Sequence, residues 1–182
     1  MKPYLLILLL PFFTFCGQEK KENADSIQED AMAPEKEQHA TYYLIRHAEK
    51  EINNPKNQDP GLNIDGMIRS NAWADYFGPI RLDEIYHTRY IRTKQTISLT
   101  SQRKAITPTR YDPNTIYSEE FLENTNGKTV LIVGHSNTIP QLVNKLIGEE
   151  KYGEMDDNDY ATLYKVTING KEKKVEVVRV GD

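Results

Sequence analysis

The sequence has a single cysteine, Cys16. One thiol excludes a disulfide framework and a thiolate zinc centre built within the chain. No apolar run reaches the roughly 20 residues that a bilayer-spanning helix needs, because the run from Tyr4 to Phe15 stops short. A large charge of one sign is also lacking. The formal net charge is −4, which argues against strong non-specific binding of nucleic acid. There are no internal repeats. At 182 residues the chain is long enough for one domain with a normal core and too short for a large two-domain enzyme.

The modest charge is unevenly spread. Residues 17–40 hold seven acidic side chains and three lysines, with Ile27 and Met32 as the only large apolar residues. Such a stretch cannot repay its ordering entropy, and it reads as a flexible acidic tether. Residues 1–16 read as an export signal, Lys2 followed by the apolar run and closed by Cys16. The cysteine stands where a bacterial lipoprotein signal places its lipidated residue, although Phe15 is bulkier than the small residue usual before it. The expectation is an exported, periplasmic or cell-envelope lipoprotein, held to the membrane through a lipidated Cys16. Residues 41–182 are then the folded domain, close to neutral overall.

Within that domain, Thr41–Ile45 is a short β-prone run, and Thr129–Val133 is the strongest strand in the chain. Unbroken apolar character predicts cover on both faces, as in a parallel sheet. Asn63 can cap a helix carrying Ile64, Met67, Ile68, Ala72, Trp73, Tyr76 and Phe77 as an apolar stripe. Further segments are a short strand at 83–86, a helix at 90–101, an edge strand at 105–111 marked by Pro108 and a helix at 114–125. A helix with Pro140 in its first turn follows residues 134–137 and ends at Gly148. Asn169-Gly170 between two β-prone runs signals a late hairpin. The expected fold is α/β: a three-layer sandwich with a mostly parallel central sheet flanked by helices and a late antiparallel hairpin.

Two histidines stand just past the carboxyl ends of expected strands, the edge where open α/β sheets bind ligands. His47 follows the first strand, and His135 follows the strand at 129–133. Arg46, Arg89 and Arg92 belong to the same edge. Two imidazoles with two or three guanidiniums suit a phosphoryl dianion, which needs several charge-assisted donors. A neutral imidazole can act as a nucleophile when its other nitrogen is held as a donor. The arginines can neutralise the charge, so no metal and no cofactor is expected. Each residue alone has a plainer reading: a histidine after a strand usually satisfies local hydrogen bonds, and an arginine there is usually surface. Their joint occurrence is what points to a site.

Leu44-Ile-Arg46-His47-Ala-Glu-Lys50 resembles the Arg-His-Gly signature of the histidine phosphatase superfamily, the phosphoglycerate mutase-like fold, with Ala48 in place of the usual Gly. Leu62-Asn-Ile-Asp-Gly66 resembles the family's helix entry. Asp83–Thr96 resembles its segment ending Arg-Thr-x-Gln-Thr, and Val133-Gly-His135-Ser136 its second-histidine motif. The resemblance implies a metal-independent phosphatase in which His47 forms a phosphohistidine and Arg46, Arg92 and His135 complete the phosphate pocket. It also implies a phosphate contact from Asn53; His87, which replaces a common Ser, is a pocket candidate because it sits beside Arg89 at the site edge. Asp112 stands nearest the family's general acid. The acidic loop of Asp156, Asp157 and Asp159 could also reach the pocket, and the substrate is a phosphorylated small molecule or a phosphoprotein. Mutases of the family carry a long insertion between the second arginine motif and the second histidine. Here 42 residues separate Arg92 from His135, which favours hydrolysis.

Two other readings compete. A phosphate-binding pseudo-enzyme lipoprotein would keep Arg46, Arg92 and His135 without turnover. Gly134-His-Ser136-Asn-Thr138 approaches the Gly-x-Ser-x-Gly elbow of serine esterases, but Thr138 fills the last glycine position and no histidine follows Ser136. The leader reading has its own test: in bacteria fed labelled palmitate, label enters the full chain and is lost in Cys16→Ser. Equal labelling of both proteins would contradict lipid attachment at this cysteine.

Overall fold

The computed structural model describes residues 37–181. The export signal, Cys16 and most of the expected tether fall outside those residues. Strand β1 (His39–Arg46) and strand β4 (Thr129–Gly134) are the apolar runs expected at 41–45 and 129–133. Strand β1 starts two residues earlier than the sequence suggested, because His39 and Ala40 pair with Asn169 and Ile168. The sheet has six strands in the order β3-β2-β4-β1-β5-β6. Strands β2 (Glu84–His87) and β3 (Thr109–Arg110) run parallel to β4 and β2 respectively, and β1 runs parallel to β4. Strands β5 (Thr162–Asn169) and β6 (Glu172–Arg179) are antiparallel. The fold is therefore the expected α/β sandwich with a mostly parallel sheet and a late hairpin. The edge strand is shorter than 105–111, since Pro108 cannot donate to a ladder.

The hairpin turn is centred one residue beyond the Asn-Gly pair. Asn169 pairs with Glu172, leaving Gly170 and Lys171 at the tip. Gly170 has φ +60°, a conformation that glycine adopts without the Cβ clash other residues meet.

Central strands β1 and β4 are buried on both faces, which explains their continuous apolar runs. On one face Tyr42, Leu44, Val130 and Ile132 pack against Ile139, Leu142, Val143 and Leu146 of helix α5 (Thr138–Ile147), with Phe121 of helix α4 (Glu119–Asn124) joining them. On the other, Tyr43, Ile45, Leu131 and Val133 pack against Trp73 and Phe77 of helix α1 (Ile64–Phe77) and against Ile97. Ile97 breaks the single helix expected at 90–101 into α2 (Ile91–Thr96) and α3 (Ser98–Lys104), because its side chain is drawn fully into that core. Helix α4 is shorter than expected, starting where Ser118 accepts a hydrogen bond from the Phe121 N–H.

Helix α1 corrects the apolar stripe. Asn63 does cap it, accepting from the Gly66 N–H at 2.8 Å. Yet Ile64, Met67 and Ile68 are 77%, 56% and 63% exposed, and the buried face is Gly66, Ser70, Trp73, Ala74 and Phe77. The first turn lies so close to the loop after β1 that a Cβ on Gly66 would collide with the Glu49 carbonyl oxygen. That contact sets the helix rotation and turns the three early apolar residues outward. Gly66→Ala should therefore destabilise by about 1–3 kcal/mol in thermal unfolding, despite alanine's better helix propensity. Ile68→Ser should stay within about 0.5 kcal/mol of wild type; the reverse order would contradict this account of the helix face.

Candidate active site

Strands β1 and β4 are paired in parallel with Arg46 opposite Gly134. The next residue of each chain is a histidine, and the His47 N–H donates to the Gly134 carbonyl at 3.0 Å. The two rings consequently lie 5.4 Å apart, centroid to centroid, at 67°. They open into a cavity of about 1060 Å³ at the carboxyl ends of the parallel strands. Arg46, Arg89, Arg92, Asp112 and Ser136 line it too.

Hydrogen-bond chemistry fixes the tautomer of each ring. His47 Nδ1 lies 2.8 Å from the Ala48 carbonyl oxygen. A carbonyl only accepts, so Nδ1 carries the hydrogen and Nε2 of the neutral ring keeps its lone pair. His135 Nδ1 faces the Arg92 guanidinium at 3.4 Å and must accept, because arginine only donates. Its hydrogen therefore sits on Nε2, 3.0 Å from the Thr88 hydroxyl. Thr88 passes its own hydrogen to the Thr93 hydroxyl at 3.0 Å, and Thr93 donates to the Tyr90 carbonyl at 2.8 Å. Burial pushes the His47 imidazole down from its ordinary 6.5 to about 3, and the nearby Arg92, His135 and Arg46 add to that depression. Burial, then Arg92, Arg46 and Lys50, bring His135 to about 4. Both rings are neutral at pH 7.

Arg46 is buried and Arg92 half-buried, and both are held from behind. Arg46 donates one terminal nitrogen to the carbonyls of Asp156, Asp157 and Asp159 at 2.8, 3.0 and 3.2 Å. Its guanidinium lies 4.2 Å over the Tyr160 ring. Arg92 lies 4.2 Å over the Tyr90 ring and 3.7 Å from Asp59. Nε of each is buried without a hydrogen-bond partner. Unpartnered buried donors are costly.

Residues 42–115 match the model of the histidine phosphatase superfamily, branch 1. Over that segment the chain is similar to the histidine phosphatase superfamily. Solved structures with the same fold include a phosphohistidine phosphatase SixA described as putative, from Agrobacterium tumefaciens. It is 21% identical with TM-score 0.56, covering 78% of this chain and 97% of its own. The protein histidine phosphatase SixA complexed with tungstate has 12% identity and TM-score 0.61, covering 76% and 96%. A protein described as a putative α-ribazole-5′-P phosphatase from Escherichia coli K-12 has 14% identity and TM-score 0.58, covering 77% and 96%. No curated protein matches the chain by sequence.

Arg46, His47, Arg89, Arg92, Asp112 and His135 share the cavity, whereas Asn53 and His87 do not line it. Asn53 lies exposed in the loop after β1, its backbone N–H tied to the Glu51 carboxylate at 2.9 Å. His87 is buried at the end of β2, with Nδ1 2.6 Å from the Thr88 carbonyl. Strand alternation turns it away while its neighbour Thr88 reaches the cavity. The acidic loop reaches the cavity at Asp157 and holds Arg46 through the carbonyls of Asp156, Asp157 and Asp159. Ser136 donates its hydroxyl to Glu154 at 3.0 Å, and both nitrogens of His135 are engaged elsewhere, so the esterase reading lacks its base.

Sequence reasoning missed Thr88, Tyr90, Lys50 and Arg110. Arg110 was findable, because it ends strand β3 at the same edge that singled out the histidines. Tyr90 carried no such signal; its role depends on its stack with Arg92.

The depressed histidines bear on stability. Ionising either ring costs more in the fold than in the unfolded chain, so their contribution is complete above about 6.5. It should decline as pH falls toward the folded values of about 4 and about 3. Denaturant titrations across that range should show the decline, and it should be shallower in His135→Asn. Identical pH profiles for the two proteins would contradict a neutral His135.

Proposed function

We propose that the protein is a phosphatase that hydrolyses a phosphomonoester or phosphohistidine through a phosphohistidine on His47. The observation carrying this is the free lone pair on His47 Nε2, oriented by the Nδ1–H contact to Ala48 and set beside two arginines with unpartnered donors. Likeness to structures named as phosphohistidine and ribazole-phosphate phosphatases supports the class of chemistry.

In the first step Nε2 attacks phosphorus, and the bond to the leaving oxygen breaks with its electron pair on that oxygen. Arg46 and Arg92 hold the non-transferring oxygens, supplying charge stabilisation without a metal ion. The dianion favours a proton on His135 Nδ1, which then donates to a phosphoryl oxygen. Asp112 is our candidate to protonate the leaving oxygen. In the second step water attacks phosphorus, loses a proton to Asp112, and the P–N pair returns to Nε2. Between Arg92 and His135 lie the rest of α2, short helices α3 and α4, edge strand β3 and central strand β4, with no inserted cap domain. A site so lightly covered favours release to water over retention of the intermediate by a mutase.

The non-catalytic reading draws on Asp112, whose Oδ1 accepts from both the backbone and the side chain of Asn114 at 2.9 and 3.0 Å. One experiment separates the two. After rapid quench with a labelled aryl phosphate, wild type should carry acid-labile label and His47→Ala none. Absence of label and of turnover in wild type, with phosphate still bound, would favour the pseudo-enzyme. Asp112→Asn should slow an alkyl phosphate by about 10²-fold or more, and a phosphoramidate, with its better leaving group, far less. EDTA should leave turnover unchanged.

A further inference from the structure

The cavity carries more positive charge than one phosphoryl group uses. Beyond Arg46 and Arg92, Arg89 and Arg110 line it, and neither forms an ion pair among the described residues. Their positions follow from strand register. Arg110 pairs with His87 in the parallel β2–β3 ladder, and Arg89 comes two residues after His87. The two guanidiniums thus mark the β2–β3 end of the cavity, away from the histidine pair at the ends of β1 and β4.

Arg89 and Arg110 are both solvent-exposed, and Arg89 leans on its chain neighbour. Its guanidinium lies 5.0 Å over the Tyr90 ring and donates to the Tyr90 hydroxyl at 3.3 Å, while Arg92 stacks on the same ring. Tyr90 therefore holds one arginine for the phosphoryl group and a second one beyond it. Asp112 lies in the same stretch of wall. The other carboxylate on the wall, Asp157, is at the Arg46 side, where its carbonyl binds that arginine.

We infer that the substrate is a small phosphomonoester whose leaving group bears a second anionic group, phosphate or carboxylate, held by Arg89 and Arg110. This rests on the phosphatase reading above. Guanidiniums without carboxylate partners on one stretch of wall offer charge-assisted donors to a second anion. The cavity, about 1060 Å³, is at the upper end of small-molecule sites, roughly 300–1,000 Å³. It has room for such a leaving group. Asp112 would then stand between the two anions, beside the leaving oxygen.

The test compares phenyl phosphate with 3-carboxyphenyl phosphate and 3-phosphonophenyl phosphate, esters with similar leaving oxygens that differ in the second anion. Wild-type full chain should favour the better anionic ester by about tenfold or more in kcat/KM, and salt should shrink the preference. Whichever of the two is favoured identifies the anion. In Arg89→Gln/Arg110→Gln the ratio should fall to within about twofold of unity. A wild-type ratio near one, or a preference that survives in the double variant, would overturn the inference. So would a phosphohistidine peptide turned over faster than every small ester. If no ester is turned over, the phosphatase reading fails by itself. Calorimetric Kd ratios for the same esters then carry the test, with the same expected preference and the same overturning result.

Discussion

The site depends on one parallel pairing. Arg46 opposite Gly134 sets β1 against β4 so that the residue after each is a histidine at the same sheet edge. A one-residue slip would send one ring to the wrong face. The register is held by the apolar cores on both sides of these strands, so the interior that stabilises the fold also positions the chemistry. The Thr96 hydroxyl adds a tie across elements, accepting from the Ala48 N–H at 2.9 Å and donating to the Arg92 carbonyl at 2.8 Å. The turn carrying His47 and the helix carrying Arg92 therefore move together.

Dryness has opposite effects on the histidines and the arginines. It strips the histidines of charge, which leaves His47 Nε2 with the lone pair that the proposed nucleophile requires and His135 neutral beside it. The arginines keep their charge, since guanidinium does not give up its proton, and each is backed by an aromatic face and by oxygen acceptors while Nε stays unpartnered. An anion entering the cavity thus meets positive charge already held in place. Preorganisation of this kind lowers a barrier without cost at the moment of reaction.

Much of this was legible in the sequence, and the reasons differ by element. The two central strands are continuous apolar runs because both faces are covered, and that pattern cannot be mistaken for a half-exposed strand. The histidines follow from those strands by the edge rule. The face of α1 was not legible, because the deciding contact is a backbone collision at Gly66 with a residue distant in sequence. The break at Ile97 was hidden for a similar reason: a tertiary pocket drew one side chain inward. Asn53 carried over from a family pattern and His87 from its place at the site edge, but local geometry ties one to Glu51 and turns the other inward. Thr88, beside His87, holds the place at the cavity that the edge position gave to its neighbour.

The central claim is that both histidines are neutral in opposite, fixed tautomers. The most direct measurement is a ¹⁵N spectrum of the histidine side chains of the ligand-free protein at pH 7. His47 should show a protonated Nδ1 and a bare Nε2, and His135 a bare Nδ1 and a protonated Nε2. A doubly protonated ring at either position, or an Nε2–H tautomer at His47, would contradict the account.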